Sequence, residues 1–418
     1  MSELVIEGGN RLNGELEIQG AKNGVLPVLA ATLLCADTCR IEHCPRLRDV
    51  DAAIAILRHL GCRTHWEEND LVVDTGPMDG FEIPDALMRE MRSSVIFLGA
   101  ILARTGEAVL SYPGGCELGP RPIDIHLSAL RALGAQIEER GGLLRCQAQK
   151  LTACEIVLPL PSVGATENAI LAACGAKGTT VIYNAAREPE IVELQDFLNA
   201  IGAQVCGAGG SIVTVEGRQT LHGCTHRVIA DRIVGATYLC AVAACGGSAV
   251  LRGADYRTLS TVALALCEAG CRVESGEDAV HIESSVPLRA IRPVRTAPYP
   301  GFPTDAQPAL MAALLRSEGS TVFVENIFEN RYRHVDELSR LGAQIRVAGR
   351  VAVVSGVETL HGALVKCTDL RGGAALVLAG LQAQGETHVT QLEHIDRGYE
   401  SIERDLSRLG AHIERRAT

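Results

Sequence analysis

One pattern of apolar and polar residues recurs six times along this chain. Each copy is a helix-like stretch that ends in an apolar residue, a glycine and a small residue. The six glycines, 68 to 73 residues apart, are Gly61, Gly134, Gly202, Gly270, Gly342 and Gly410. A glycine at this place is typical of a helix that ends in a left-handed cap. The pattern therefore predicts six copies of one structural unit.

Each copy also contains an earlier helix and several strands. An alanine-rich run leads through a glycine turn to a β-branched segment, as in residues 170–173 before 179–183 and 309–315 before 320–324. Short alternating segments follow the cap glycine, for example 344–347 and then 351–354. Residues 39–44 form the corresponding strand of the first copy. The repeat predicts a mixed α/β fold.

The sixth copy stops after residues 409–414 without its last strand, and residues 4–8 have the composition of the missing one. We therefore expect the N-terminal segment to complete the last unit. The prediction is two domains of three units each, one formed by residues 21–229 and the other by residues 1–20 and 230–418. Two connections, near residues 20 and 230, would favour opening and closing of a cleft.

Composition and charge narrow the class of protein. A chain of 418 residues with 47% hydrophobic residues can build two well-packed cores. The net charge of −11 argues against a nucleic-acid partner. No segment approaches the ~20 apolar residues of a membrane span, and the N-terminus lacks the pattern of a signal peptide. We expect a cytoplasmic protein without a membrane partner.

The fifteen cysteines include no Cys-x-x-Cys pair, and their number is odd. Mostly buried thiols in a reducing cytoplasm fit this usage better than disulfides. Cys35, Cys39, His43 and Cys44 weakly resemble metal-ligand spacing, but the strand predicted over 39–44 accounts for them. We expect no metal and no cofactor.

A glycine- and proline-rich run over residues 113–126 contains Cys116 and Arg121. Glycines 114, 115 and 119 predict a mobile surface loop. A thiol close to a fixed cation is a cysteine whose proton can take part in chemistry. The alternative is a surface turn in which the cysteine is incidental.

The first helices of the units begin with polar or charged residues. Asp231, Asp305 and Asp369 can be explained as helix caps. Lys22, Arg92 and Arg371 cannot, because a cation opposes the positive end of the helix dipole. Together with Arg331 and Arg397 they predict a site for an anionic ligand between the domains, although any single arginine is more often a solvated surface residue.

Several motifs carry a resemblance to a known family: residues 20–23 with Leu26 and Pro27, residues 116–124, 162–166, 302–305, 328–331, 368–371 and 396–400. Over its full length the chain resembles the UDP-N-acetylglucosamine 1-carboxyvinyltransferase family of enolpyruvyl transferases. The resemblance implies a two-domain inside-out α/β barrel, in which each domain contains three repeated βαβαββ units. That number agrees with the six copies counted above.

The resemblance also implies a reaction. The 3′-hydroxyl of UDP-N-acetylglucosamine attacks C2 of phosphoenolpyruvate, C3 is protonated, and phosphate leaves the tetrahedral intermediate. This is the first committed step of peptidoglycan precursor synthesis. The two small molecules are the expected partners of a monomer or weak homo-oligomer.

Site residues follow from the same resemblance. Cys116 would protonate C3 and can carry a covalent phospholactoyl adduct, and Asp305 would accept the hydroxyl proton. An ordinary thiol, with a pKa of about 8.5, is protonated at neutral pH and can donate. The cationic clamp on phosphoenolpyruvate would be Lys22, Arg121, Arg331, Arg371 and Arg397, with Lys22 and Arg397 also catalytic. The nucleotide sugar would be bound by Asn23, Arg92, Arg121, Pro122, Ile123, Asp124, Ile125, Ser162, Val163, Gly164, Asp305 and Ile327.

The chain departs from the family pattern at two notable places. Val234 replaces a common glutamate, and Leu160 replaces a lysine found in some members. These departures leave open a catalytically weak paralogue that binds the nucleotide sugar and regulates the pathway. The shikimate-pathway enolpyruvyl transferase is a second alternative, although it lacks a loop of the Cys116 type.

Overall fold

The structure, a computed structural model, describes residues 2–111, 123–217 and 219–417, without the side chain of Arg92. These residues form two compact units. The central unit contains the described residues from Gly20 to Ile229. The terminal unit combines the segment up to Gln19 with the chain from Ala230 onward.

The strands of the described residues are short. They are β1 (Ser2–Glu7), β2 (Leu12–Glu17), β3 (Thr38–Glu42), β4 (Arg63–Glu67), β5 (Asp70–Asp74), β6 (Glu82–Ile83), β7 (Glu107–Ser111), β8 (Gln136–Arg140), β9 (Leu143–Gln147), β10 (Glu155–Val157), β11 (Thr179–Tyr183), β12 (Gln204–Cys206), β13 (Ile212–Glu216), β14 (Thr225–Arg227), β15 (Gly247–Arg252), β16 (Arg272–Gly276), β17 (Ala279–Ser284), β18 (Val294–Arg295), β19 (Ser320–Val324), β20 (Gln344–Ala348), β21 (Val351–Ser355), β22 (Leu364–Lys366), β23 (Glu386–Thr390) and β24 (His412–Ala417).

Helices alternate with these strands. They are α1 (Lys22–Thr32), α2 (Arg48–His59), α3 (Asp85–Glu90), α4 (Phe97–Thr105), α5 (Asp124–Ala132), α6 (Val163–Cys174), α7 (Pro189–Ala200), α8 (Arg232–Cys245), α9 (Tyr256–Ala269), α10 (Gln307–Ala313), α11 (Val335–Arg340), α12 (Leu370–Gln382) and α13 (Ile402–Arg408). Short 3-10 helices span Arg92–Ile96, Arg331–His334 and Leu392–Arg397. In the part of the chain that the structure describes, no helix is long and apolar enough to cross a membrane.

Every sheet in the described ranges has four strands in one repeated order. In the fifth sheet along the chain, formed by β18 to β21, β18 lies parallel to β19. β19 pairs antiparallel with β21, and β20 forms the edge. The first sheet along the chain contains β3, β4 and β5. Its remaining strand, β14, comes from the end of the central unit and takes the place that β18 has in the fifth sheet. The fourth sheet contains β15, β16 and β17, and β2 takes the corresponding place beside β15. The predicted α/β repeat is confirmed.

The N-terminal strand completes the last sheet, as predicted. β1 lies between β23 and β24 and pairs antiparallel with both, with Ser2 opposite Ala417 and Leu4 opposite Val389. It takes the place that β21 has in the fifth sheet. The last sheet therefore contains segments from both ends of the described chain.

The first helix of each repeat lies inside its unit. In the terminal unit, α8, α10 and α12 contact one another and are buried along almost their whole length. In the central unit, α4 contacts both α1 and α6, and most residues of these three helices are buried. Alanine is frequent in these helices because small side chains allow close helix packing. Several of the predicted site residues, among them Lys22, Val163, Gly164 and Arg371, lie in the first turns of these helices.

The six cap glycines adopt the predicted left-handed backbone. Their φ angles lie between 93° at Gly61 and 112° at Gly270. A side chain would be strained there, so glycine ends each helix and turns the chain into the next strand. The strand predicted over 39–44 is shorter, Thr38–Glu42, because His43 takes a left-handed φ of 55° and ends it.

Candidate active site

The carboxylate of Asp305 lies between two buried arginines of the terminal unit. Nη2 of Arg331 donates to Asp305 Oδ1 over 3.2 Å, and Nε of Arg371 donates to Oδ2 over 3.3 Å. The Arg331 side chain is 1% exposed, whereas that of Asp305 is 30% exposed. The cluster therefore presents one carboxylate to solvent and keeps two positive charges behind it.

Local structure fixes Arg331 in this place. Its Nε and Nη2 donate to the carbonyl oxygen of Thr304, over 3.2 and 2.9 Å. Nη1 lies 3.7 Å from Asp369 Oδ1. Asp369 is the N-cap of α12 and accepts from the backbone N–H groups of Arg371 and Gly372. Although burial opposes ionisation, the charge of Arg331 keeps the pKa of Asp369 below its usual value.

Arg371 is positioned from its other side by Tyr399. Nη1 of Arg371 donates to the Tyr399 hydroxyl over 3.3 Å, and that oxygen lies 2.8 Å from Thr237 Oγ1. Burial opposes the charged guanidinium, but Tyr399 and Asp305 outweigh it and raise the pKa of Arg371. Nη2 of Arg371 is buried and has no hydrogen-bond partner among the described residues.

A buried glutamate holds the neighbouring loop. Glu325 Oε1 accepts from the backbone N–H groups of Ile327 and Phe328, over 2.8 and 3.0 Å. Its Oε2 accepts from the hydroxyl of Thr304 over 3.0 Å. Glu325 therefore connects the predicted substrate residue Ile327 to the turn that carries Asp305.

Residues 396–400, which include Arg397, contact Arg371 through the Tyr399 hydroxyl. Arg397 is half-buried at the end of the 3-10 helix Leu392–Arg397, two residues before Tyr399. The Gln19 side chain donates to the carbonyl of Gly398 and accepts from the N–H of Glu400. These contacts hold the segment that follows Arg397 in place.

In the central unit, Lys22 starts α1 and pairs with a buried aspartate. Its Nζ lies 3.1 Å from Oδ2 of Asp49, which is 1% exposed and belongs to the first turn of α2. A Cβ at Gly24, two residues beyond Lys22, would lie 2.2 Å from Glu193 Oε2, so a larger residue there would require the Glu193 side chain to shift. Asn23, between them, is half-buried.

A second group of predicted residues meets at the starts of α5 and α6. Asn168 donates through Nδ2 to His126 Nδ1 over 2.9 Å, and its Oδ1 accepts from Gly99 N–H over 2.7 Å. A Cβ on Gly164 would lie 2.8 Å from His126 Cε1. These contacts bring the first turn of α5, with Asp124 and Ile125, beside the first turn of α6, with Val163 and Gly164. Burial lowers the pKa of His126 to about 4, so the ring is neutral at pH 7.

The N-terminus of α6 suits an anion. The Ser162 hydroxyl caps the helix by accepting from Ala165 N–H over 3.4 Å. The first backbone N–H groups of a helix and its dipole favour a phosphate at this end. One turn later, burial and the nearby Glu190 and Glu188 raise the pKa of Glu167 to about 8.

Comparisons with known proteins identify the family of this chain. A family model described as EPSP synthase (3-phosphoshikimate 1-carboxyvinyltransferase) matches residues 6–406. A UDP-N-acetylglucosamine 1-carboxyvinyltransferase 2 of Caldanaerobacter subterraneus is 49% identical over 99% of this chain and 100% of that protein. A UDP-N-acetylglucosamine 1-carboxyvinyltransferase of Dichelobacter nodosus is 47% identical over 99% of each chain. The chain belongs to the enolpyruvyl transferase family.

Solved structures of enolpyruvyl transferases have the same fold. The enolpyruvyl transferase NikO from Streptomyces tendae matches with a TM-score of 0.88 and 28% identity over 99% of both chains. The EPSP synthase of Acinetobacter baumannii matches with a TM-score of 0.77 at 19% identity over 100% of both chains, which is a likeness of fold. The predicted inside-out α/β barrel class is confirmed.

Not every predicted site residue falls within the described ranges. Cys116, Arg121 and Pro122 lie outside the described residues, as does the side chain of Arg92. Among the others, the structure brings Asp305, Arg331 and Arg371 into contact and places Ile327 on the adjoining loop. It also brings Ile123, Asp124 and Ile125 beside Ser162, Val163 and Gly164.

Two of the three aspartates proposed as helix caps have that role. Asp231 caps α8 and Asp369 caps α12, whereas α10 begins after Ala306 and Asp305 binds arginines instead. Two of the cations predicted at helix starts also have carboxylate partners, since Lys22 pairs with Asp49 and Arg371 with Asp305. Their position against the dipole therefore has a structural cause besides any ligand.

Sequence reasoning missed Glu325, Asn168 and the role of Tyr399. The signal in each case is a polar residue inside an otherwise apolar pattern, next to a motif. Val234, the departure noted in the sequence, is buried in the core of the terminal unit. Leu160 is 63% exposed. Among the described residues no group of three or more His, Cys, Asp or Glu side chains could hold a metal ion.

Proposed function

We propose that this protein transfers the enolpyruvyl group of phosphoenolpyruvate to the 3′-hydroxyl of UDP-N-acetylglucosamine and releases phosphate. The observation that carries the proposal is the contact of Asp305 with both Arg331 and Arg371. It joins a carboxylate that can accept a proton to fixed cations that can bind an anion. The full-length relatives named for this reaction support the choice of substrates.

The terminal unit would supply the base and part of the clamp. In the proposed reaction Asp305 takes the proton of the attacking hydroxyl. Arg331 and Arg371 are buried and always charged, so they stabilise the carboxylate and phosphate of phosphoenolpyruvate without reorganising. The buried Nη2 of Arg371 offers a further N–H donor for a substrate oxygen, and Arg397 adds a cation from the adjoining motif.

The central unit would supply the acid and most of the nucleotide-sugar contacts. Cys116 is proposed to protonate C3 and to form the phospholactoyl adduct, with Arg121 and Lys22 completing the clamp. The first turn of α6, at Val163 and Gly164, would bind the diphosphate through backbone N–H groups. Asn23, Arg92 and residues Pro122 to Ile125 would contact the rest of the nucleotide sugar.

We also propose that the two units are the two domains of the protein, divided near residues 20 and 230, and that it acts in the cytoplasm. Both substrates are small and charged. Every cysteine in the described ranges lacks a disulfide, which suits a reducing compartment.

Phosphate release from phosphoenolpyruvate tests the proposal. We expect release with UDP-N-acetylglucosamine and none with shikimate 3-phosphate. Cys116→Ala should lose nearly all activity, whereas Cys206→Ala, which changes an exposed cysteine of β12, should keep it. Release with shikimate 3-phosphate instead would overturn the substrate assignment, and full activity of Cys116→Ala would overturn the role of the thiol.

A further inference from the structure

Three cysteines of the central unit lie in one row. Cys35 and Cys39 are completely buried, and their sulfur atoms are 3.6 Å apart. Cys224, which is partly exposed, is the neighbour of Cys39 on the adjoining strand, and the two thiols influence each other's pKa. The row therefore runs from the core of the unit to its surface, and it is separate from the residues assigned to the transferase reaction.

Strand pairing places Cys39 opposite Cys224. β14 lies parallel to β3 with Thr225 opposite Arg40, and Arg40 N–H donates to the carbonyl of Cys224 over 2.8 Å. The preceding residues, Cys224 and Cys39, are therefore the next neighbours across the two strands. Adjacent strands lie ~4.8 Å apart, which is within the Cα separation of about 4.4–6.8 Å that a disulfide needs.

The segment before Cys224 is held firmly against β3. Gly223 N–H donates to Asp37 Oδ2 over 2.9 Å. A Cβ at Gly223 would lie 1.9 Å from the carbonyl oxygen of Thr38, so only glycine permits this approach. The two cysteines are thus brought together by the backbone and not by flexible side chains.

The two thiols differ in reactivity. The neighbouring Cys39 thiol lowers the pKa of Cys224, whereas Cys224 and burial raise the pKa of Cys39 to about 12. The thiolate is the reactive form of cysteine. The sulfur that ionises more readily is also the one that solvent reaches.

We propose that Cys39 and Cys224 are a peroxide-sensitive thiol pair, in which Cys224 is oxidised first and Cys39 closes a disulfide. In the first step the Cys224 thiolate attacks one oxygen of hydrogen peroxide. The S–O bond forms, the O–O bond breaks, and the departing hydroxide takes a proton to become water. Cys224 is then a sulfenic acid.

In the second step the sulfur of Cys39 attacks the sulfur of Cys224. The S–S bond forms, the S–O bond breaks, and hydroxide leaves and combines with the Cys39 proton as a second water. Two thiols lose two electrons in total, and peroxide gains them. Cys35 is excluded as the first thiol because it is completely buried.

Peptide mapping of the peroxide-treated protein tests the pairing. Trypsin would release residues 219–227, with Cys224 alone, and residues 23–40, with Cys35 and Cys39. Cleavage before Asp37 then separates Cys35 from Cys39. We expect a linked peptide, two hydrogen masses lighter than its parts, that joins Cys224 to residues 37–40. A Cys35–Cys39 disulfide, or no linked peptide at all, would overturn the proposal.

Variants separate the two steps. In Cys39→Ser the sulfenic acid of Cys224 should persist, and dimedone should label it several-fold more than in the wild type. Cys206→Ser is the matched control, because it removes an exposed thiol of the same unit and should leave the linked peptide unchanged. Equal dimedone labelling of Cys224 in wild type and Cys39→Ser would show that Cys39 does not resolve it.

Discussion

Arg371 donates to the hydroxyl of Tyr399 over 3.3 Å, and this contact holds a guanidinium that also pairs with Asp305. A hydrogen bond to a charged group contributes about 1.5–3 kcal/mol. Removing the hydroxyl leaves one N–H of a buried cation without its partner. The aromatic ring, 5.6 Å from the guanidinium carbon, would remain.

We therefore expect Tyr399→Phe to lower kcat/KM roughly tenfold to a hundredfold. The loss should appear mainly in KM for phosphoenolpyruvate, because Arg371 is part of the proposed clamp. Tyr238→Phe is a matched control: it also loses a buried hydroxyl, but one that bonds Asp405. Steady-state kinetics and thermal unfolding of both variants would decide, and equal kinetic losses in the two would contradict a positioning role.

Gly164→Ala should weaken binding of the nucleotide sugar. The new Cβ would lie 2.8 Å from His126, and His126 is held by Asn168, so one of the two helix starts has to shift. We expect a KM for UDP-N-acetylglucosamine raised about tenfold, with a smaller change for phosphoenolpyruvate. Gly235→Ala, whose Cβ would make an ordinary contact at 3.4 Å to Leu259, should change neither. A Gly164→Ala enzyme with wild-type constants would refute the arrangement.

His126 predicts a loss of stability in acid. Burial lowers its pKa from 6.5 to about 4, so between these values the unfolded chain binds the extra proton and the folded one does not. The free energy of unfolding should fall as the pH drops from 6.5 towards 4, by about 3 kcal/mol for this residue. His126→Gln should remove that share of the slope in denaturant titrations at successive pH values. In this variant His334, whose pKa burial also lowers to about 4, should still contribute to the pH dependence. A pH dependence of the unfolding free energy equal to that of the wild type would contradict the role of His126.

Glu167 predicts a loss of stability as the pH rises. Burial and two neighbouring glutamates raise its pKa from 4.5 to about 8. The folded state holds the proton that the unfolded state has lost, so the stability present below pH 4.5 decreases as the pH rises to 8.

Glu167→Gln mimics the protonated carboxyl, and its melting temperature relative to wild type should therefore increase from pH 5 to pH 8. Glu216→Gln, on an exposed position of β13, should show no such trend. Differential scanning calorimetry at the two pH values is the measurement. A constant difference between Glu167→Gln and wild type would show that the carboxyl titrates alike in both states.

The repeated parts of the fold were predictable because their causes are local. A glycine that must take a positive φ marks the end of a helix in every copy, and the missing strand of the sixth copy pointed to Leu4 and its neighbours. The motifs likewise indicated Asp305 and Arg331. The sequence could not show that Asp231 caps a helix whereas Asp305 binds arginines, because the two aspartates have similar sequence surroundings.

The remaining site contacts depend on distant segments. Asn168 meets His126 only after α5 and α6 pack, and Tyr399 meets Thr237 across 162 positions of sequence. No local pattern carries such information, since it arises when separate repeats assemble. Cys39 and Cys224 were both visible as cysteines, but their pairing follows from the register of β3 and β14.

The position of β1 sets an order of events during synthesis. Residues 2–7 are synthesised before the rest of the described chain, yet their partners lie at residues 386–389 and 412–417. At about 5–20 residues per second, the first strand waits roughly 20–80 s with both edges exposed. The central unit has its whole chain long before then. The sheet that contains β1 is therefore the last to close during synthesis.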